Sequence, residues 1–138
     1  MSTQAGIVRP PAITGDAIVA AIPVVRVASA ERSVRFYCGR LGFHQDWWHQ
    51  RSADEPATVS VSRGGASVVL TERGDLPIGG QLILWTTELG TLFADWSALA
   101  DVVLEHGPAE MPWGLTEMTL RDPDGNVIRV AQPTGCQT

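Results

Sequence analysis

Apolar positions along this chain shift from a period of two to helical spacing and back, and they do so twice. From Ile18 to Val27 β-branched residues dominate, which predicts a buried strand. Val34, Tyr37, Cys38 and Leu41 then recur at helical spacing, with Ser29 placed to cap the helix and Gly42 to end it. Phe43 to His49 predicts a second strand. Thr58 to Arg63 alternates with Val59 and Val61 on one face, and Gly64-Gly65 turns the chain into a strand from Ser67 to Thr71.

The loop Gly74-Asp75-Leu76-Pro77-Ile78-Gly79-Gly80 interrupts the pattern and reads as a hinge. After it, Gln81 to Thr86 predicts a strand. Glu88 to Leu99 predicts a helix whose stripe of Leu89, Leu92, Phe93, Trp96 and Leu99 faces a core. Val102 to Glu105 predicts a short strand, Thr116 to Arg121 a clearer one, Asp122 to Gly125 a turn, and Val127 to Ala131 the last strand. The order strand-helix-strand-strand-strand is thus written twice. It predicts an α+β domain over residues 18–133, built from βαβββ modules at 18–73 and 80–133, with an arm at 1–17 and a tail at 134–138. One helix covers one face of each sheet, which leaves the opposite faces to curve around a shared cavity.

Composition narrows the partners. A chain of 138 residues, 44% apolar and with five tryptophans, supplies a core for one domain or two small modules without a staple. All ten basic residues are arginine, set against 15 acidic ones, for a net charge of -5. A phosphate backbone wants a basic patch, and that balance gives no reason to expect nucleic acid as a partner. Cys38 and Cys136 form no C-x-x-C pair and read as free thiols in a reducing compartment. The segment Met1 to Thr14 lacks the basic flank and apolar run of a signal peptide, and the uncharged stretch Ala17 to Val25 is too short to cross a bilayer. A cytoplasmic protein, free of the membrane, is expected.

Alternation puts Ile22, Val24 and Arg26 on one face of the first strand. If that face lines the cavity, Arg26 joins Gln81, Ile83, Trp85, Val127 and Arg129 there. Trp85 offers a flat platform with one N–H donor, suited to a planar ligand; packing at the module seam is the competing role. Trp47 and Trp48, adjacent in a strand, face opposite ways, so one of them is expected near a binding surface. Trp113, held between Pro112 and Gly114, serves either as a cavity wall or as a loop anchor. Asp46, Asp54, Glu55, Glu72 and Asp75 can form an acidic rim for a cationic ligand. Arg26 and Arg129 argue instead for a carboxylate, phosphate or phenolate, and the pattern leaves the ligand's charge open. No serine, histidine and acid form a relay, and Asp122 belongs to its turn.

Several short motifs occur in a telling order: Ala21-Ile22-Pro23-Val24, Phe36 beside Tyr37, Arg40-Leu41-Gly42-Phe43, Trp85, Asp95-Trp96, Gly107-Pro108-Ala109, Pro112-Trp113-Gly114 and Arg121-Asp122-Pro123-Asp124-Gly125-Asn126. Across about residues 18–133 this set resembles the vicinal oxygen chelate superfamily, which includes glyoxalase I, extradiol dioxygenases and fosfomycin-resistance enzymes. Its bleomycin-resistance branch is the better match. The resemblance implies two βαβββ modules whose curved mixed sheet surrounds a cup-shaped cleft. It further implies sequestration of a bleomycin-like or other heteroaromatic antibiotic without turnover, by a homodimer with clefts partly at the subunit interface. The Pro10-Pro11 arm is then a candidate for partner contact or exchange. Strand alternation and the resemblance together give the expected ligand-binding residues as Trp85, Trp113, Trp48, Trp47, Arg26, Gln81, Ile83 and Arg129.

Superfamily metal ligands correspond here to positions near Ile22, Val69, Gln81 and Arg129. Only Gln81 among them offers a donor, because the aliphatic side chains have no lone pair and arginine stays cationic. No metal and no cofactor are therefore expected, and the protein leans away from catalysis. The alternative is a metal-independent lyase or isomerase using His44, His49 or a carboxylate in the cup as its acid–base group.

Overall fold

The computed structural model describes residues 17–135; the Pro10-Pro11 segment and Cys136 lie outside them. The first half runs β1 (Val24–Arg26), α1 (Ala30–Tyr37), β2 (His44–His49), β3 (Thr58–Arg63) and β4 (Ala66–Thr71). The second repeats it as β5 (Gln81–Trp85), α2 (Leu89–Ser97), β6 (Leu104–Glu110), β7 (Leu115–Arg121) and β8 (Val127–Pro133). Two four-stranded sheets result, ordered β1-β4-β3-β2 and β5-β8-β7-β6. In each, the leading strand pairs parallel to the last and the remaining pairs are antiparallel. This is the α+β class of two βαβββ modules with mixed sheets that the hydrophobic pattern predicts. Among the described residues no helix is long and apolar enough to cross a membrane.

Local chemistry accounts for most boundaries. Ser29 is extended, and its Oγ accepts the Arg32 N–H at 3.1 Å, closing the first turn of α1. Helix α2 has no such cap of its own; the Leu89 N–H donates to Oε1 of Gln132 on β8 at 2.9 Å. Gly42 sits at φ 83, and a Cβ there would meet the Arg63 guanidinium at 2.9 Å. Most strands shift by one or two residues at one end, and two strands differ more from expectation. The run from Ile18 forms strand only over Val24–Arg26, because Pro23 has no N–H to give the ladder, although its carbonyl accepts from Val69. Strand β6 covers Leu104–Glu110 rather than Val102 to Glu105. Its Gly107-Pro108 is tolerated because β6 is an edge strand whose pairing slips on both sides of His106.

One core joins both halves. Tyr37, Leu41, Val59, Val61, Val68 and Leu70 of the first pack into the same cluster as Leu82, Trp96, Met118, Leu120, Ile128 and Val130 of the second. The helix-covered faces therefore share the interior, and the opposite faces carry exposed Val24, Ile83 and Trp85. The β7–β8 turn is the stitch between modules. Asp122 Oδ2 accepts from the Tyr37 hydroxyl and from Nδ2 of Asn126, both at 2.8 Å, while its Oδ1 takes the backbone N–H of Asp124 and of Asn126, both at 2.9 Å. Asn126 also donates to the Arg26 carbonyl at 3.1 Å and accepts the Gly80 N–H at 2.6 Å. Nearby, Asp124 receives Arg32 at 2.7 Å and the Ala28 N–H at 3.0 Å.

Burial, then the charge of Asp122 and its hydrogen bond, push the Tyr37 hydroxyl far above its usual ionisation range. Because the folded value is raised, the proton is retained and its contribution to stability is fully present below the unfolded tyrosine value of about 10. As pH climbs beyond that value, the unfolded chain ionises first and stability falls. Tyr37 is the only tyrosine, so an alkaline absorbance titration reports it alone. Phenolate absorbance is expected to appear only with loss of the near-ultraviolet circular dichroism of the fold. A phenolate forming in the still-folded protein near the ordinary value would contradict the buried bond.

Candidate functional site

Strand β5 builds the site. Leu82 and Leu84 pack inward, so Gln81, Ile83 and Trp85 face outward, Ile83 at 58% and Trp85 at 63% exposure. The ladder sets their neighbours. Gln81 lies opposite Val127, Ile83 opposite Arg129 and Trp85 opposite Ala131. One strand further on, Arg129 lies opposite Thr119 and Ala131 opposite Glu117. Ala131, between Trp85 and Glu117 in the ladder, is buried although it stands outside the shared core cluster. An open cavity of about 1040 Å³ runs along β5 and is lined by Gln81, Ile83 and Trp85 together with Phe43 and the β3–β4 hairpin; neither Arg129 nor Trp113 lines it.

Trp113 reaches this face from the β6–β7 turn. Gly114, at φ 89, lets that turn close through a Gly114 N–H to Met111 carbonyl bond of 3.1 Å. The Trp113 Nε1–H donates to Oε2 of the buried Glu117 at 2.7 Å, which holds the ring while leaving it 62% exposed. The Trp85 indole has no hydrogen-bond partner among the described residues, and its Nε1–H is free for a ligand. Glu117 escaped the sequence-based site. Its signal was present: Glu117 and Thr119 occupy the outward positions of a strand whose Met118 and Leu120 point inward.

The other predicted residues divide differently. Arg26 lies on the other sheet, where its Nη1 donates to the Leu76 carbonyl at 3.0 Å and ties down the connector. Trp47 also sits on that sheet's outer face, opposite Ser60, beside a smaller cavity of about 540 Å³ with His49 and Thr58. Trp48 points the other way and packs against the core, its Nε1 reaching Gln50 Oε1 at 3.4 Å. Gln81, Ile83, Trp85 and Arg129 thus share one face with Trp113; Arg26 and Trp47 occupy a second, and Trp48 neither.

The acids proposed as a rim are mostly engaged elsewhere. Asp46 accepts from Ser60 Oγ at 3.2 Å and Ser62 Oγ at 2.8 Å, and Glu72 from the Ala30 N–H at 2.7 Å and the Ala57 N–H at 2.9 Å. Asp75 pairs with Arg73 at 2.8 Å, and Asp54 takes the Ser52 hydroxyl at 2.8 Å. His44 and His49 are exposed on β2, and no hydrogen bond to an acid orients either ring among the described residues. Burial, followed by the charge of Asp46, pushes the Cys38 thiol up and disfavours its nucleophilic form.

The metal positions of the fold do not fit a divalent ion here. Ile22 and Val69 belong to the first half and offer no lone pair, while Arg129 on β8 is a cation. Among the described residues, no three histidine, cysteine, aspartate or glutamate side chains are grouped to hold a metal.

Comparison with known proteins places this arrangement. A family model described as glyoxalase superfamily protein matches residues 13–136. No curated protein matches the chain. The solved structure of TnmS3, an antibiotic binding protein from Streptomyces sp. CB03234, is 30% identical over 86% of this chain and 99% of its own, with a TM-score of 0.71. A glyoxalase/bleomycin resistance protein from the same organism is 29% identical over 80% of this chain and 97% of its own, with a TM-score of 0.66. The bleomycin resistance determinant encoded on the transposon Tn5 shares the fold, at 22% identity over 83% of this chain and 98% of its own and a TM-score of 0.67. With a family model spanning nearly its whole length and both βαβββ modules in place, the chain belongs to the glyoxalase superfamily, the vicinal oxygen chelate group that its motifs resemble.

Proposed function

We propose that the protein captures a heteroaromatic antibiotic, of the bleomycin-like or a related planar kind, and holds it without chemical change. The observation that carries this reading is the outward presentation of Trp85, 63% exposed with an unused N–H, on a strand whose alternate residues are buried. An indole left in water on a regular strand is a ready stacking surface. The names of two solved relatives, an antibiotic binding protein and a glyoxalase/bleomycin resistance protein, support the same ligand class. Binding rather than turnover is favoured because neither histidine of β2 is oriented by an acid among the described residues and the metal positions, Gln81 apart, lack donors.

One chain leaves this face open. Val24 and Ile83 are 54% and 58% exposed on the outer faces of the two sheets, so a second copy, setting one outer face opposite the other, supplies the missing wall. In this reading the protein is a homodimer with two shared clefts, and Trp47 enters each cleft from the partner's side. Sedimentation of the protein with metal-free bleomycin and with planar antibiotics of anthracycline and quinoxaline type tests both parts together. A species of two chains is expected, carrying one drug per chain for at least one of these compounds and releasing it with unchanged mass. A single-chain species at micromolar concentration sinks the shared cleft. Chemically altered drug turns the assignment toward a metal-independent lyase or isomerase.

A further inference from the structure

The ionic bookkeeping of the nine described arginines singles out one position. Arg32, Arg35, Arg40, Arg73 and Arg121 pair with carboxylates, and Arg26 and Arg63 donate to the carbonyls of Leu76 and Leu41. Arg51 stands exposed in a loop. Arg129 is different: it is half-buried on β8, an inner strand of its sheet, and its side chain has neither a hydrogen bond nor an ion pair among the described residues. Ile83 and Thr119 lie across from it on the two neighbouring strands, and Val127 and Ala131 flank it along its own. The acid on this face, Glu117, is not within ion-pair distance of Arg129 and is bound to Trp113 instead.

A half-buried arginine flanked by Ile83, Val127 and Ala131, with no counter-ion among the described residues, has its guanidinium donors available to an anion. Its planar fork accepts a carboxylate or an ionised phenolate through two parallel bonds, and the free Trp85 surface lies one ladder row away. Building on the capture reading, we infer that Arg129 and Trp85 together select a planar aromatic ligand bearing an anionic oxygen, with polycationic drugs bound more weakly. The arginine receives the oxygen anion and the indole receives the ring. This bears on a conflict that residue types alone left open, because four of the five acids that would favour a cationic ligand, all but Glu55, already accept backbone N–H groups, serines or Arg73.

The test uses three fluorescent probes of one shape and different charge: pyrenecarboxylate, pyrenecarboxamide and aminomethylpyrene. Titrated into the full chain at low salt, the carboxylate is expected to bind at least about tenfold tighter than the amide, with the ammonium weakest. Arg129→Gln is expected to remove that preference by weakening the carboxylate about tenfold, to leave the amide unchanged, and to preserve the urea midpoint. Arg129→Glu is expected to favour the ammonium. Equal binding of carboxylate and amide by the wild-type protein overturns the inference while leaving aromatic capture intact. Binding of none of the three probes sinks both. A carboxylate preference that survives Arg129→Gln assigns the charge to another residue, and an Arg129→Gln chain that sediments as a monomer shows that the arginine served the subunit contact instead.

Discussion

Asp122→Ala is expected to lower the unfolding free energy by about 3 kcal/mol, the largest effect of any single change outside the aliphatic core. The carboxylate is only 5% exposed and accepts four hydrogen bonds, from the Tyr37 hydroxyl, the Asn126 amide and two backbone N–H groups. Removing it strands the Tyr37 hydroxyl, which is fully buried, and opens the turn that also positions Asn126 against Arg26 and Gly80. A buried donor left without an acceptor costs about 1–3 kcal/mol, and partial entry of water to the turn keeps the total near 3. The conservative comparison is Tyr37→Phe. It retains the edge-to-face contacts with Phe36 and Phe43 and loses one bond, for a cost of about 1 kcal/mol. Urea denaturation followed by circular dichroism measures both. If Asp122→Ala costs no more than Tyr37→Phe, the turn is not the stitch between modules that its geometry implies.

Trp85→Ala is expected to behave in the opposite way, with a large effect on binding and almost none on folding. The side chain is 63% exposed and stands outside the shared core, so truncation changes stability by no more than about 0.5 kcal/mol. Stacking of a planar ring on an aromatic side chain is worth about 1–3 kcal/mol, which corresponds to a loss of roughly 5- to 150-fold in affinity. Pyrenecarboxamide is the suitable probe, since it carries no charge for Arg129 to read. Unchanged affinity in a variant with an unchanged urea midpoint removes Trp85 from the site. A collapse of stability instead shows that the indole is part of the fold.

These two residues show what a one-dimensional pattern can carry. The turn Asp122 to Gly125 is legible because proline and glycine restrict φ locally, and Gly125 adopts the positive φ its place requires. That the same aspartate holds two modules together is not legible, since its partner Tyr37 lies 85 residues away. Trp85 is legible as an outward position because strands alternate strictly. The pair Trp47-Trp48 is legible only as a division, and the irregular pairing between Gln45 and Trp47 decides which indole faces the core. The Gly107-Pro108 segment misleads for a related reason: its local propensity is that of a loop, whereas an edge position in the sheet overrides it.

The sequence by itself determined the order of the elements, the repetition of the βαβββ unit and the inward and outward sides of most strands. All three are encoded in the period at which apolar residues recur, a property of neighbours along the chain. Tertiary structure alone decided that the helix-covered faces share one core while the outer faces stay open, that Glu117 holds Trp113, and that Arg26 is consumed by the connector while Arg129 is left without a counter-ion. Those outcomes depend on which charged and polar groups meet across the fold. Electrostatic pairing is set by distances of a few ångströms in space, and the spacing of residues along the chain does not record it.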